Sequence, residues 1–506
     1  MARSFLLGLD SGSTATKAVV LDLAGRPIGI GSHRVTQQLP QPNWVERDMD
    51  EVWQAACQAI CDALVAAKAG PDEIAAIGVT GHGDGLYLID RHGAPLGPGM
   101  LSLDSRAFPV VEEWQRQGVL ERALSLTGQH PYPYAAVSLL AWIKRHQPER
   151  FAAIGHVLFC KDWLRYKLSG IIATDPTEAS TSFTELHRQA YDPAVLDLYG
   201  LSELSAALPK IAGSCETIGR VTQAAARETG LRAGIPVSGG LHDVTASAVG
   251  LGNLSAGTLS ITAGTFSINE VLSDQPKLDP RWACRAGLKP GQWMSMAISP
   301  ASSSNVDWFL RETFPEELRQ AATQKIPVFD LLHDEITQAF QDDSRLIFHP
   351  FLFGSPYAAP ASAGFFGLRA WHRRGHLLRA VLEGTIFNHR THVDALAGAF
   401  PIHHIGLTGG GAGNPLIGQL FADSLGRTID ISDAQEAGAL GAALCAGVGA
   451  GLYPSLEEAA AQACHRAGRY VPNQTRHATL SASFARFTRL VEAMTPLWPD
   501  LIDDKN

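Results

Sequence analysis

The amino-acid sequence predicts an α/β protein with two domains. Strand-like and helix-like segments alternate along the chain, and its 506 residues exceed what one hydrophobic core usually supports. A strand–turn–strand pattern near the N terminus is echoed in the middle of the chain, which suggests that two domains share one core plan. We therefore expect domains at residues 1–250 and 251–506, with ligands bound in the cleft between them.

The first predicted element is the stretch LLGLDSGSTATKAVVLD, residues 6–22. Two apolar runs flank a turn of Gly, Ser and Thr, which predicts a β-hairpin. Residues 49–67 begin with acidic side chains and carry apolar residues at helical spacing, so they predict an amphipathic helix. Residues 74–81 predict a buried strand that leads into a glycine-rich loop, and helices are expected near 138–146 and 162–168.

The second half of the chain begins with another alternation of strand and helix. Residues 235–252 predict a strand, a glycine-rich turn and a helix of small residues, and residues 258–272 predict a second hairpin around a Gly-Thr turn. Residues 453–506 predict C-terminal helices followed by a polar tail. Since no long linker separates the halves, we expect the two domains to pack closely.

Composition and charge restrict the class of protein. The chain is 45% hydrophobic and 18% charged, and its formal net charge of −9 argues against a nucleic-acid partner. No apolar run approaches the roughly 18 residues of a transmembrane helix. The N-terminal apolar run is interrupted by Asp10 without a cleavage site, so we expect neither a membrane anchor nor a signal peptide. Seven scattered Cys residues without disulfide spacing indicate a reducing, cytoplasmic setting.

Several common catalytic motifs are absent from the sequence. There is no GxxxxGK[ST] phosphate loop, no GxGxxG dinucleotide fingerprint, no GxSxG nucleophile elbow and no HExxH zinc motif. The pairs His372/His376 and His389/His392 have helical spacing, but a basic helical surface explains them more simply than a metal site.

The opening turn is the first candidate ligand site. Backbone N–H groups and hydroxyls at such a turn form a concave nest for anions, and Lys17 adds positive charge. Asp10 offers a carboxylate for hydrated Mg²⁺, the usual companion of triphosphates. From the residues alone, a nucleotide phosphate site and a merely polar hairpin stay equally open.

Three further stretches add polar groups at the ends of strands. In GGLHDVTASAVG, Asp243 lies between a glycine-rich turn and a helix start, where it is either an anion-site residue or a simple N-cap. In LTGGGAGNPLIGQLFADSLG, residues 407–426, successive glycines allow the backbone to approach a flat ligand, although a plain loop is the default interpretation. Loop residues Asp84, Asp104 and Arg106 suit a hydroxyl-rich ligand, although solvated loop charges are common.

These stretches, in this order, resemble the FGGY carbohydrate kinases. DSGSTATKAVV resembles the first phosphate motif of the family, and GGLHD resembles the motif with its catalytic aspartate. TGGGAGN, followed by EAGALGAAL at residues 436–444, resembles the adenosine motif, and residues 363–383 resemble the C-terminal signature. The resemblance spans residues 5–450. It implies a two-domain, actin-like (ribonuclease H-like) ATPase fold with ATP and Mg²⁺ as cofactors.

The resemblance also assigns roles to individual residues. Asp243 would be the general base that accepts the proton of the sugar hydroxyl, and Asp10 would arrange the hydrated Mg²⁺. The implied ATP and phosphate contacts are Asp10, Ser13, Thr14, Lys17, Thr265, Gly410 and Asn414. The implied sugar contacts are His82, Asp84, Asp104, Arg106, Tyr134 and Asp243.

The sequence departs from the commonest members of the family near the implied sugar contacts. Ser102 stands where D-xylulose and glycerol kinases usually have Trp, and Leu139 replaces a common Lys. Four stretches look most like the L-xylulose kinases: QPNWVERDMDEVW, GHGDGLYLID, LSLDSRA and VSLLAWIKRHQPERF. The GDG loop and GGLHDVTASA also resemble erythritol kinases. We therefore expect phosphorylation of the terminal hydroxyl of a ketopentose, L-xylulose before D-xylulose, with erythritol or another small polyol as the alternative.

Two other classes of function stay open at this point. One is an actin- or chaperone-like ATPase with a protein partner, and the other is a sugar-binding regulator without catalysis. The polar residues expected around Asp243 argue against the first class. The presence together of Asp10, Lys17, Asp243 and Thr265 argues against the second. A homodimer is an expectation from the resemblance alone.

Overall fold

The polypeptide folds into two compact units, each built from more than one stretch of the chain. The computed structural model describes residues 5–356, 361–409 and 414–501. The first unit takes its described residues from Met1–Ala256, Leu272–Ser295 and Asp433–His465. The second unit takes them from Gly257–Val271, Met296–Ser432 and Arg466–Asn506.

The chain up to residue 256 alternates strands and helices, as predicted. Its strands are β1 (Phe5–Ser11), β2 (Ala15–Asp22), β3 (Pro27–Arg34), β4 (Glu46–Arg47), β5 (Ile74–Gly81), β6 (Tyr87–Ile89), β7 (Gly99–Met100), β8 (His156–Leu158), β9 (Thr184–Glu185), β10 (Ala190–Tyr191), β11 (Thr217–Arg220), β12 (Pro236–Ser238) and β13 (Leu241–His242). Its helices are α1 (Met49–Ala67), α2 (Phe108–Arg116), α3 (Val119–Thr127), α4 (Ala136–His146), α5 (Pro148–Ala152), α6 (Cys160–Ser169), α7 (Pro176–Ala179), α8 (Pro193–Leu198), α9 (Gln223–Thr229) and α10 (Asp243–Gly250).

The remainder of the chain continues the alternation. Its strands are β14 (Thr258–Ala263), β15 (Ser267–Ser273), β16 (Ala283–Ala286), β17 (Trp293–Ser299), β18 (Ile347–His349), β19 (Gly364–Phe366), β20 (His404–Thr408), β21 (Ile429–Ser432) and β22 (Arg466–Tyr470). Its helices are α11 (Ser303–Thr313), α12 (Pro315–Gln324), α13 (Val328–Leu331), α14 (His333–Gln341), α15 (Arg374–Ala399), α16 (Pro415–Leu425), α17 (Ala437–Gly449), α18 (Leu456–Ala463) and α19 (Gln474–Met494). Among the described residues, no helix combines the length and hydropathy needed to cross a membrane.

The main sheet of the first unit has the strand order β11-β12-β5-β1-β2-β3. The predicted opening hairpin is confirmed, because β1 and β2 pair antiparallel around a turn of only three residues. Asp10 stands directly opposite Lys17 in this register. The polar tract is therefore mostly strand, and it carries these two charged side chains to the end of the hairpin.

The predicted helix at 49–67 and the predicted strand at 74–81 are both confirmed as α1 and β5. The Asp48 side chain caps α1 by accepting hydrogen bonds from the backbone N–H groups of Asp50 and Glu51. Strand β5 is buried along its whole length and pairs parallel to β1, which explains its continuous apolar sequence.

Helix α17 packs unusually closely against the sheet and against α10. A Cβ atom added to Gly441 would lie 1.9 Å from the carbonyl oxygen of Ala246 in α10. A Cβ atom added to Gly78 in β5 would lie 1.9 Å from the carbonyl oxygen of Ala442. Backbone therefore meets backbone on both sides of α17, and only glycine permits that separation. The stretch EAGALGAAL thus belongs to the first unit in the structure.

The second unit contains a sheet in which β15, β14, β20, β21 and β22 lie side by side in that order. The predicted second hairpin is confirmed as β14 and β15, which pair antiparallel. The expectation of helices alone before the C-terminal tail is wrong, because Arg466–Tyr470 forms β22 beside β21. Its largely exposed, polar sequence gives no strand periodicity, since it lies at the edge of the sheet.

The histidine pair in α15 also differs from expectation. His389 and His392 are buried rather than part of a basic surface. His389 lies 2.9 Å from Asn269 Oδ1, and His392 Nε2 lies 3.0 Å from Ser299 Oγ. Both rings are thus polar groups of the core with hydrogen-bond partners.

The close packing of α17 gives a test of the fold. Replacing Gly441 with Ala should destabilise the protein by about 3 kcal/mol or more, because the new methyl group has no space beside the Ala246 carbonyl. Gly398 is the matched control, since it is also helical but has open space around its Cβ position. Gly398→Ala should be neutral or stabilising by up to about 1 kcal/mol. Equal denaturant midpoints for the two variants would contradict this account.

Candidate active site

The glycine-rich loop after β5 presents two polar side chains. His82 is buried, and its Nε2 lies 3.1 Å from the Tyr87 hydroxyl. Burial and then the charge of Arg47 lower the pKa of His82 to about 3, so its ring is neutral. Asp84 adopts a left-handed backbone with φ of 57°, which few residues other than glycine tolerate. The loop therefore holds a charged residue in an unusual conformation, as often occurs at functional sites.

The carboxylate of Asp84 is paired with a buried arginine from a distant part of the chain. The guanidinium NH2 group of Arg285 lies 3.2 Å from both carboxylate oxygens. Burial raises the pKa of Asp84, and Arg285 opposes that shift. Strand β16 holds Arg285 in place, since the neighbouring Cys284 N–H donates to Gly128 O and the Ala286 N–H donates to Ser180 Oγ.

Arg285 links Asp84 to further polar groups of the first unit. Its Nε donates to Gln129 Oε1 at 2.8 Å, and its NH1 lies 3.3 Å from His242 Nε2. Tyr132 and Tyr134 stack beside it, with ring centroids 5.1 Å apart. Burial raises the pKa of both tyrosines, so their hydroxyls remain protonated donors.

Asp243 is the first residue of α10 and lies next to this group of side chains. Its Oδ1 accepts a hydrogen bond from the Val244 N–H at 2.8 Å. Burial and then the charge of Asp10 raise the pKa of Asp243 to about 7. The preceding residue is anchored, because the His242 N–H donates to Thr177 Oγ1 at 2.9 Å. A carboxylate with such a pKa can accept a proton near neutral pH.

The end of the opening hairpin forms a second charged group in the same unit. Lys17 Nζ donates to both carboxylate oxygens of Glu436, at 2.7 and 2.9 Å. Burial and then the charge of Glu436 raise the pKa of Asp10 to about 6, while Lys17 opposes the shift. The negative charges of Asp10 and Asp243 each raise the pKa of neighbouring carboxyl groups. A cation bound beside Asp10 and Asp243 would offset this repulsion between carboxylates.

The first unit brings together four of the six predicted sugar contacts. Arg285 contacts Asp84 and His242 and lies beside Tyr134. His242 directly precedes Asp243, and His82 interacts electrostatically with His242. We call these four contacts, His82, Asp84, Tyr134 and Asp243, together with Gln129, Tyr132, His242 and Arg285 the polar cluster.

The other two predicted sugar contacts, Asp104 and Arg106, form a buried ion pair with each other. Arg106 donates from Nε and NH2 to both oxygens of Asp104, and NH2 also donates to Glu46 Oε1 at 2.6 Å. The Val45 N–H donates to Asp104, and the Arg106 guanidinium stacks 3.8 Å from the centroid of Trp44. Since the Asp104 oxygens already accept hydrogen bonds, this pair supports the loop, and its role as a sugar contact stays a prediction.

The predicted nucleotide contacts are distributed over both units. In the first unit, the Ser13 carbonyl accepts a hydrogen bond from Gln37 Nε2, and Thr14 is exposed. In the second unit, Thr265 is exposed in the β14–β15 turn. Asn414 caps α16 by accepting from the Leu416 and Ile417 N–H groups. Gly410 lies outside the described residues.

Sequence reasoning missed several residues of these groups. Arg285 and Gln129 gave no signal, because neither lies in a motif and Arg285 is 201 positions from Asp84. Glu436 is the first residue of the stretch EAGALGAAL, but the sequence assigned it no role. His242 could have been found, since it directly precedes Asp243 in GGLHD.

Known proteins resemble this chain over nearly its whole length. Residues 5–250 match the model of the N-terminal domain of the FGGY family of carbohydrate kinases, and residues 259–450 match that of its C-terminal domain. The L-xylulose/3-keto-L-gulonate kinase of Escherichia coli (strain K12) is 34% identical over 506 residues, which cover 97% of each chain.

A second relative and a solved structure extend the comparison. The erythritol kinase of Brucella abortus (strain 2308) is 27% identical, covering 99% of this chain and 98% of its own. The crystal structure of xylulose kinase from Rhodospirillum rubrum superposes with a TM-score of 0.87 at 26% identity, covering 98% of this chain and 99% of its own. The predicted two-domain α/β fold is confirmed, and the chain belongs to the FGGY family of carbohydrate kinases.

Proposed function

We propose that this carbohydrate kinase phosphorylates the terminal hydroxyl of a ketopentose, with L-xylulose as the first candidate and D-xylulose as the second. The observation that carries the proposal is the polar cluster, which includes Asp243. Within it, the His82 imidazole, the carboxylates of Asp84 and Asp243 and the Tyr134 phenol offer both donors and acceptors, which suits a short chain of hydroxyl groups and a carbonyl. The 34% identity to the L-xylulose/3-keto-L-gulonate kinase supports this substrate class.

Asp243 would act as the general base of the transfer. Its carboxylate would take the proton from the sugar hydroxyl while the hydroxyl oxygen attacks the γ-phosphorus of ATP, whose bond to the bridging oxygen breaks so that ADP leaves. The raised pKa of about 7 matches this task, because the base is then half-ionised near neutral pH. The Val244 N–H holds one oxygen of the carboxylate and fixes its orientation.

The hairpin end would bind the phosphates of ATP, the donor used by carbohydrate kinases. Lys17 would exchange its contact with Glu436 for a phosphate oxygen, and Ser13 and Thr14 would offer hydroxyl and backbone donors. Asp10 fits a hydrated Mg²⁺, because its carboxylate lies near those of Glu436 and Asp243. The ion would supply charge neutralisation of the phosphates when bound. Thr265, Gly410 and Asn414 remain proposed contacts to the nucleotide.

Erythritol is the second candidate substrate. The erythritol kinase of Brucella abortus is 27% identical over nearly the whole chain. Erythritol and a ketopentose both present a terminal hydroxyl on a short polyhydroxyl chain, so the same base could serve either. Cytoplasmic location and a homodimer stay predictions from the sequence.

The substrate assignment is tested by coupled ADP release with Mg-ATP on a sugar panel. The panel contains L- and D-xylulose, L- and D-ribulose, 3-keto-L-gulonate, erythritol, xylitol and glycerol. We expect L-xylulose to give the highest kcat/KM. Erythritol as the best substrate would keep the kinase mechanism and refute the ketopentose, whereas equal rates with and without every sugar would refute the proposed function.

Removal of the proposed general base should slow turnover strongly while the protein stays folded. Asp243→Asn should lower kcat by roughly 10²- to 10⁴-fold, because the amide cannot accept the proton. The folded pKa of about 7 lies above the usual value of 3.8, so the folded state holds this proton more tightly than the unfolded state. Stability from this group is therefore lost as the pH rises towards 7. The variant should accordingly melt higher than the wild type at about pH 8, by a smaller margin at about pH 5, and similarly at about pH 4.

The pH dependence gives an independent test of Asp243. We expect kcat/KM for the sugar to fall on the acidic side of about pH 7, because protonation removes the base. The measurement is a pH–rate profile at saturating Mg-ATP. A profile that stays flat down to about pH 5 would contradict the assignment of Asp243 as the base.

A further inference from the structure

A chain of contacts leads from Arg285 through His242 to Asp243. Arg285 NH1 lies 3.3 Å from His242 Nε2, on one side of the imidazole ring. On the other side, His242 Nδ1 lies 3.4 Å from Asp243 Oδ1. All three residues belong to the first unit, and both Arg285 and His242 are buried.

The chemistry of the guanidinium fixes the proton on the imidazole. An arginine side chain only donates hydrogen bonds, so His242 Nε2 must accept with its lone pair. Burial and then Arg285, Lys161 and His82 lower the pKa of His242 well below its ordinary value, so the ring carries a single proton. That proton therefore resides on Nδ1, the nitrogen that faces Asp243.

The position of the ring is determined by packing as well as by hydrogen bonds. A Cβ atom added to Gly83 would lie 1.8 Å from His242 Nε2, so the loop glycine leaves space for the imidazole. The His242 backbone is held by its N–H bond to Thr177 Oγ1. The ring is thus confined between the loop, Arg285 and Asp243.

We propose that Arg285 and His242 are positioning residues for Asp243: Arg285 selects the Nδ1–H form of His242, which donates to Asp243 Oδ1 and leaves Oδ2 to face the sugar hydroxyl. The contact of 3.4 Å has no hydrogen-bond alignment in the resting enzyme. Such contacts commonly shorten when substrate binds. The inference rests on the proposed role of Asp243 as the base.

This arrangement has a defined consequence for the reaction. A donor on Oδ1 favours the ionised form of the base, so its loss should move the acidic limb of activity to higher pH. Besides Arg285, five charged or titratable groups face His242 or Asp243. They are Lys161 in α6, Glu178 in α7, Asp10 in β1, and His82 and Asp84 in the loop after β5. The Val244 N–H stays on Oδ1 when the His242 donor is lost, so the shift measures the contribution of the imidazole alone.

Two substitutions of His242 separate positioning from sugar contact. In His242→Asn the side-chain amide can stand where Nδ1–H stands, whereas in His242→Gln the longer side chain places its amide near the Nε2 position. We expect His242→Gln to lose up to about 10²-fold in kcat, with its acidic limb shifted to higher pH. His242→Asn should recover a large part of that loss and keep the limb near its wild-type position.

Arg285→Lys tests the first step of the chain. Lysine keeps a positive charge beside Asp84, but its single ammonium cannot contact Gln129, His242 and Asp84 together. We expect a shift of the acidic limb in the same direction as in His242→Gln. If all three variants raise KM with kcat and the pH profile unchanged, His242 and Arg285 are sugar contacts and the proposal is wrong.

A measurement on the resting enzyme does not depend on the identity of the substrate. In protein labelled with ¹⁵N-histidine, the ring nitrogens of His242 report its tautomer, with the His242→Asn spectrum as the assignment control. We expect protonated Nδ1 in the wild type and a mixture of tautomers in Arg285→Lys. Protonated Nε2 in the wild type would overturn the proposal, even if no sugar in the panel were phosphorylated.

Discussion

The first unit depends on the close approach of α17 to the sheet and to α10. Backbone-to-backbone contact at Gly441 and Gly78 removes the side-chain layer that normally separates a helix from its neighbours. Because of this closeness, Glu436 reaches Lys17 at the end of the hairpin, while the opposite side of α17 supports the helix that begins with Asp243. One packing constraint thus positions both charged groups of the candidate site.

The buried charges of the first unit fall into two kinds. Asp104 accepts hydrogen bonds on both oxygens from Arg106 and the backbone, so its charge is neutralised by partners within the fold. Burial and the charge of the neighbouring Asp10 both disfavour ionisation of Asp243, and they raise its pKa to about 7. The same residue type therefore serves the structure in one place and can do proton chemistry in the other.

Elements with strong local patterns could be predicted from the sequence. Helix α1 has an Asp48 cap and a clear apolar face, and β5 is a short apolar run before a glycine-rich loop. Strand β22 could not be found, because its pairing with β21 and not its composition makes it a strand. The burial of His389 likewise depends on partners from other elements, which the helical spacing of His389 and His392 does not reveal.

By itself, the sequence determined the alternation of strands and helices, the two hairpins, and the motif residues Asp10, Lys17 and Asp243, because each depends on neighbours within a few positions. Only the tertiary structure decided the surroundings of those residues. It placed Arg285 beside Asp84 across 201 positions and Glu436 beside Lys17 across 419 positions. The physical reason is that burial and charge, which set the pKa of Asp243, are properties of three-dimensional neighbours.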